Sequence, residues 1–230
     1  KDREAIVRQI EDQDKAGADY IDLNAGNPYG NITKEADDMK WLIDIALDVT
    51  QKPLVLDSAS GEVMSTAAEH LAGRRSWILN SVKNENSILE ELIPIAVRTD
   101  ASVVALAMDG ETIPETKDLR MENCRAIRQK AGELGLKEEN IFFDPLVMPI
   151  SSNYTAGKVV LDTLRAIKTE FPNAKTTLGL SNVSYGLPHR QRINSALLIS
   201  AIANGLDAAF CDPTRVGIRQ AILLGGLVCG

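Results

Sequence analysis

Residues 41–58, WLIDIALDVTQKPLVLDS, hold a helix and a strand in succession and finish in a carboxylate and a hydroxyl. Trp41, Leu42, Ile45, Ala46 and Val49 fall at helical spacing and form one apolar stripe, and Pro53–Asp57 reads as a short strand. The same unit recurs in both directions. Further strands are expected at Ala18–Asn24, Trp77–Ser81, Ser102–Asp109, Ile141–Pro145, Thr176–Asn182 and Leu206–Asp212. Helical stripes lie between them, at Ile88, Leu89, Leu92, Ile93 and Ala96, and again at Val160, Leu161, Leu164, Ile167 and Phe171. Ala5 through Ala16 reads as a helix leading into the first strand. Parallel strands need crossover connections, and intervening helices supply them, so the pattern predicts a parallel α/β sheet covered by helices.

Seven such strands are one short of a (β/α)8 TIM barrel. The chain opens in a helix and stops after the apolar run Ile218 to Val228. The expectation is therefore a barrel lacking its first strand and some C-terminal residues. The same alternation permits an open doubly wound sheet. No Pro- or Ser-rich linker and no low-complexity tract divides the chain, so residues 1–230 read as one domain.

Composition narrows the function. Twenty-five basic against 32 acidic side chains leave a net charge of −7, with 44% hydrophobic and 4% aromatic residues. That balance disfavours a nucleic-acid partner, which would need phosphate neutralisation and base stacking. No apolar run approaches a bilayer span, and no apolar targeting segment opens the chain. Cys124, Cys211 and Cys229 show no CxxC spacing, which suits reduced thiols and a cytoplasmic location. With only His70 and His189, a multi-histidine metal site is excluded.

The strand C-termini carry the chemistry, because active sites of barrels are built at that face. They read Asp22-Leu23-Asn24, Leu56-Asp57-Ser58, Leu79-Asn80-Ser81, Met108-Asp109, Asp144-Pro145, Ser181-Asn182 and Cys211-Asp212. Helix capping accounts for Ser58, Ser81 and Asp212, but not for all seven. Asp109, Asp207 and Asp212 divide evenly between structural and ligand roles. Carboxylates and amides converging without Lys or His suit a hard cation. They equally suit a neutral heterocycle such as a 2-amino-4-oxopyrimidine, whose adjacent N–H donors match the two oxygens of a carboxylate. Gly225-Gly226 sits in a helical pattern and reads as close packing; Cys211 reads as a small buried hydrophobe.

Asp22-Leu23-Asn24-Ala25-Gly26, Leu56-Asp57-Ser58, Leu79-Asn80-Ser81, Asp144-Pro145-Leu146 and Gly179-Leu180-Ser181-Asn182-Val183-Ser184, with Arg190 and Ile193-Asn194 beyond, resemble the methyltetrahydrofolate:corrinoid protein methyltransferases. These belong to the pterin-binding barrel superfamily, shared with dihydropteroate synthase and the folate domain of cobalamin-dependent methionine synthase. The resemblance implies that Asp57, Asn80 and Asp144 hold the pterin and that Asn182 reaches the nitrogen bearing the methyl group. It places Asp22, Asn24, Ser184 and Arg190 around the same site. It implies methyl transfer between N5 of methyltetrahydrofolate and the cobalt of a corrinoid (cobalamin) on a partner protein, with no metal bound by this chain. A homodimer and one-carbon metabolism follow from the same resemblance, in acetyl-CoA synthesis or in demethylation of methoxylated aromatics or methylamines. Dihydropteroate synthase and a non-catalytic folate-binding subunit are the alternatives.

Overall fold

In the computed structural model, which describes residues 2–26 and 30–229, helices and strands alternate throughout. The order is α1 (Arg3–Lys15), β1 (Ile21–Asn24), α2 (Ile32–Val49), β2 (Leu54–Asp57), α3 (Gly61–Leu71), β3 (Trp77–Val82), α4 (Asn86–Arg98) and β4 (Ser102–Leu106). It continues with α5 (Lys117–Glu133), a 3-10 turn (Glu138–Asn140), β5 (Ile141–Asp144), α6 (Ala156–Glu170) and β6 (Lys175–Thr176). A second 3-10 turn (Leu180–Ser184), α7 (Arg190–Ala203) and α8 (Val216–Cys229) follow. The six strands form one parallel sheet in chain order, β1-β2-β3-β4-β5-β6.

Side chains alternate between the two faces of a strand, and here the alternation sorts those of β1 to β5 into two clusters. Ile21, Leu23, Leu54, Leu56, Leu79, Val103 and Phe143 pack outward against the helices, in the main core. Val55, Ile78, Val104 and Phe142 form a separate inner cluster, joined by Leu106, Ala208 and Phe210. For a segment as late as 208–210 to reach residues of β2 to β5, the sheet must curl round on itself. This is the curvature of a barrel wall.

The strands expected at 18–24, 102–109 and 176–182 shorten, and the one expected at 206–212 does not form. Residues 180–184 wind into the 3-10 turn, so β6 keeps two residues in the ladder instead of seven. Residues 206–212 consequently form no strand of their own. They still run alongside: Ala208 N–H donates to Thr176 O at 3.0 Å, Phe210 N–H to Leu178 O at 2.9 Å, and Gly179 and Phe210 form a parallel bridge. Likewise the chain leaves the ladder after Leu106, where Met108 N–H turns back onto Leu106 O at 2.7 Å.

Local signals explain the helix starts. Asn31, Ser60 and Thr116 accept from the N–H groups of Lys34, Val63 and Leu119, capping α2, α3 and α5. The cap of α3 is thus Ser60 and not the expected Ser58. α8 buries only Ile218, Ala221 and Gly225, and it leaves Leu223, Leu224, Leu227 and Val228 exposed. A Cβ on Gly225 would stand 2.7 Å from Ile202 Cδ1 of α7, so close packing explains this glycine; Gly226 has open space. Among the described residues no helix is long and apolar enough to cross a membrane.

Candidate active site

The register of the sheet assembles the candidate residues. Asn24 pairs with Asp57, and Asp57 pairs with Asn80, so three polar ends stand side by side on adjacent strands. They share the inner face, one step beyond the apolar row of Val55 and Ile78. Asp22 lies on this same face one step lower, opposite Val55. Asp144 closes β5 opposite Leu106, again on the inner face above Phe142. A polar rim therefore sits on an apolar floor, and the period of two along each strand builds both.

Within the rim, Asn24 Nδ2 donates to Asp57 Oδ2 at 2.8 Å while its Oδ1 accepts from Gly26 N–H at 2.7 Å. Burial raises the Asp57 pKa above the usual carboxylate value, the Asn24 hydrogen bond opposes this, and the nearby Glu35 carboxylate adds to the rise. Asp22, enclosed by protein atoms though open to solvent on one side, is pushed to about 7 by burial first and by Asp57 second. Near neutral pH it is therefore divided between the charged form, which only accepts, and the protonated form, which can also donate. Glu35 comes from the first turn of α2, where its Oε1 accepts from Ser58 Oγ at 2.6 Å. Ser58 is thereby a link between rim and helix. Its Oγ also accepts from Ser60 N–H at 3.1 Å.

Asp144 is 8% exposed. Burial raises its pKa to about 6 against the pull of the Leu146 N–H, which donates to Oδ1 at 2.7 Å, and of the Arg120 guanidinium. Among the described residues its Oδ2 has no hydrogen-bond partner, which leaves an acceptor for a ligand.

Asn182 lies in the second 3-10 turn, on the strand-end side of the Gly179–Phe210 bridge, with its side chain exposed. Ser184 is fully buried and, with Arg190, braces this turn. Arg190 Nε donates to Ser184 Oγ at 3.0 Å and Nη2 to Ser181 O at 2.9 Å, while Ser184 Oγ donates to Ser181 O at 3.2 Å. These two residues thus support the Asn182 turn through one another.

Other candidates divide. Asp207 accepts from Thr176 N–H at 2.8 Å and from Lys168 at 3.0 Å, well before the strand ends, so it is structural. Asp212 accepts from Thr214 N–H at 3.0 Å and Arg215 Nε at 2.9 Å as the chain enters α8. Asp109 instead lines a cleft of about 520 Å³ against α5, with Asn84, Pro114 and Glu122, and no rim residue lines that cleft. Cys211 is half-buried and its thiol is held neutral by burial and by Asp212. Among the described residues no group of three or more His, Cys, Asp or Glu could hold a metal ion.

Sequence reading missed three participants. Glu35 and Arg120 reach the rim from helices, and no strand-end pattern marks them. Lys83, three residues past Asn80, is a cation just beyond the end of β3, where it donates to Gly110 O at 2.8 Å and pairs with Glu85 at 2.7 Å.

Comparison with known proteins matches the pterin binding enzyme family to residues 1–211. The methylcorrinoid:tetrahydrofolate methyltransferase of Eubacterium limosum is 29% identical over 100% of this chain and 84% of its own length. Methionine synthase of Mycobacterium tuberculosis is 31% identical over 93% of this chain, which spans only 19% of that protein. Among solved structures, Yersinia pestis dihydropteroate synthase with a pterine-sulfa conjugate superposes with a TM-score of 0.77, at 15% identity, over 99% of this chain and 89% of the other. The Coxiella burnetii enzyme in complex with pteroic acid gives a TM-score of 0.73 at 18% identity, over 98% and 87%. These two likenesses show the fold, a parallel α/β sheet covered by helices, which those structures share.

Proposed function

We propose, for a chain that belongs to the pterin-binding enzyme family, a methyltransferase that moves the N5-methyl group between methyltetrahydrofolate and the cobalt of a corrinoid protein. The observation that carries this reading is the polar rim of Asn24, Asp57 and Asn80 in register, with Asp144 on the same face. Its acceptors suit the N–H edge of a 2-amino-4-oxopyrimidine, and its amides suit the remaining donor and acceptor positions. Similarity to the Eubacterium limosum methyltransferase along the whole chain supports the same reaction class.

In the proposed mechanism, Asp57 and Asp144 accept pterin N–H groups, and Asn80 fixes the ring against rotation. As the methyl group leaves N5, the nitrogen takes a proton from solvent and keeps the electron pair of the broken carbon–nitrogen bond. Asn182 accepts a hydrogen bond from the protonated nitrogen through Oδ1, so it stabilises the leaving group without itself supplying the proton. A positioned dipole of this kind contributes a factor of about 10²–10³ in rate. Arg190 and Ser184 hold the turn that presents it.

The test is direct. Protein mixed with methyltetrahydrofolate and cobalt(I) cobalamin should produce the absorbance of methylcobalt. Folate binding without that signal would instead favour a passive folate-binding subunit. Asn182→Ala should slow methyl transfer by about 10²–10³ while changing affinity little. Unchanged turnover in stopped-flow assays would remove the role.

Dihydropteroate synthase shares the fold but must hold a pyrophosphate. Of Arg190, Arg192 and Arg215, which stand near the last strand ends, two are occupied within the chain, Arg190 by Ser181 and Ser184 and Arg215 by Asp212. Pairing of two chains, which the resemblance implies, belongs to the proposal; sedimentation giving only a one-chain species would refute that part.

A further inference from the structure

Arg120, in the first turn of α5, is 1% exposed, an uncommon position for a guanidinium. Its Nε donates to the Pro114 carbonyl at 2.8 Å, and its Nη1 donates to the carbonyls of Pro145 at 2.6 Å and Leu146 at 2.9 Å. The acceptors belong to two loops. Pro114 lies in the connection from β4 to α5, whereas Pro145 and Leu146 directly follow Asp144 at the end of β5. Backbone carbonyls, and among the described residues no carboxylate, take the hydrogen bonds of this cation.

The second loop has reason to need holding. Leu146 has φ of 66°, in the left-handed region that costs a residue with a Cβ about 1–2 kcal/mol. Such a conformation persists where its surroundings over-determine it. Here its N–H is fixed by Asp144 Oδ1 and its C=O by Arg120, so both sides of the residue are pinned. The Leu146 N–H in turn fixes the direction of the Asp144 carboxylate, because it occupies one oxygen and leaves the other toward the rim. A chain of contacts thus runs from the α5 guanidinium through a strained turn to a carboxylate at the strand end.

We propose that Arg120 is a positioning residue: it clamps the loop after β5 to the loop before α5 and thereby aims the Asp144 carboxylate at its ligand. The inference rests on reading Asp144 as a pterin contact, and it deepens that reading by adding the helix residue on which the contact depends. Arg120 touches no ligand in this scheme. Its influence passes through two backbone carbonyls and one amide.

Two variants separate the clamp from general folding. Arg120→Met removes charge and hydrogen bonds, while Arg120→Lys keeps a charge that cannot span three carbonyls. The first readout uses ligand-free protein, with the Asp144 side-chain carbon followed by NMR through a pH titration. The charged group that acts on this carboxyl is Arg120; Cys124, also on α5, has a thiol that burial pushes to about 12 and keeps neutral. Wild type should titrate near 6, and Arg120→Met at a higher pH, because the guanidinium's opposition to burial is then lost and the Leu146 N–H it helps to fix is loosened. The second readout is calorimetry with methyltetrahydrofolate. Arg120→Met should bind about 10–100-fold more weakly, with its binding midpoint displaced to higher pH, and Arg120→Lys should fall between. A merely structural role would lower the melting temperature without moving either midpoint. If Arg120→Met does not fold, the same two readouts on Arg120→Lys decide. A folded variant with wild-type titration and affinity overturns the proposal. If wild type ignores methyltetrahydrofolate while the Asp144 titration moves as expected, the clamp stands and the substrate assignment falls.

Discussion

Asp144 titrates near 6 instead of 3.8 because burial disfavours its charge, and its position pulls stability and binding in opposite directions. A folded-state pKa raised above the unfolded value means that the native state holds the extra proton between pH 4 and 6. Stability from this group is complete below about pH 4 and is lost as pH rises through about 6. Two pH units at about 1.4 kcal/mol each give roughly 3 kcal/mol lost between pH 4 and pH 7. Asp144→Asn should therefore flatten the pH dependence of ligand-free stability, seen in urea melts at both pH values, by up to that amount. The same change should weaken methyltetrahydrofolate binding by about 1.5–3 kcal/mol at pH 7, read by calorimetry, since one acceptor replaces two. Native affinity in Asp144→Asn would sink the contact. Asp57, Asn80 and Asp144 are legible in the sequence because each ends an apolar run. Arg120 is not, because a helical pattern reads as a solvated face until the fold turns it inward.

At the level of elements, β6 shows what patterning predicts and what it misses. The pattern of Thr176–Asn182 points to where β6 lies, yet the ladder holds only Lys175–Thr176 and the segment curls into a 3-10 turn after Gly179, a choice that alternation does not encode. That turn lifts Asn182 off the ladder and lets Arg190 brace it from α7. The opposite end of the same segment is fastened by Asp207, which accepts from the N–H and Oγ1 of fully buried Thr176 at 2.8 and 3.1 Å. Asp207→Ala strands a buried N–H and should cost about 1–3 kcal/mol in denaturant melts. Pterin affinity should be unchanged, because this fastening sits below the rim. A loss of affinity matching the loss of stability would mean that the two ends of the segment are coupled.

Across the whole molecule, the parallel α/β class and the polar strand ends are readable from the sequence, whereas the chain order of the strands is not fixed by an alternation that also permits a doubly wound sheet. The division into an outer core and a separate inner plug is not readable either. It requires the sheet to curl, which brings Phe210 onto Val55, Ile78, Val104 and Phe142. α8 adds a further property of the whole surface, since Leu223, Leu224, Leu227 and Val228 face solvent on a molecule of net charge −7. Mutual repulsion reaches about 30 Å at 0.01 M salt and about 3 Å at 1 M. Added electrolyte should therefore let these greasy ridges meet, so that light scattering from the protein rises with sodium chloride, and Leu223→Lys with Leu227→Lys should abolish the rise. The helix that seals one flank of the fold thus also sets its colloidal temperament.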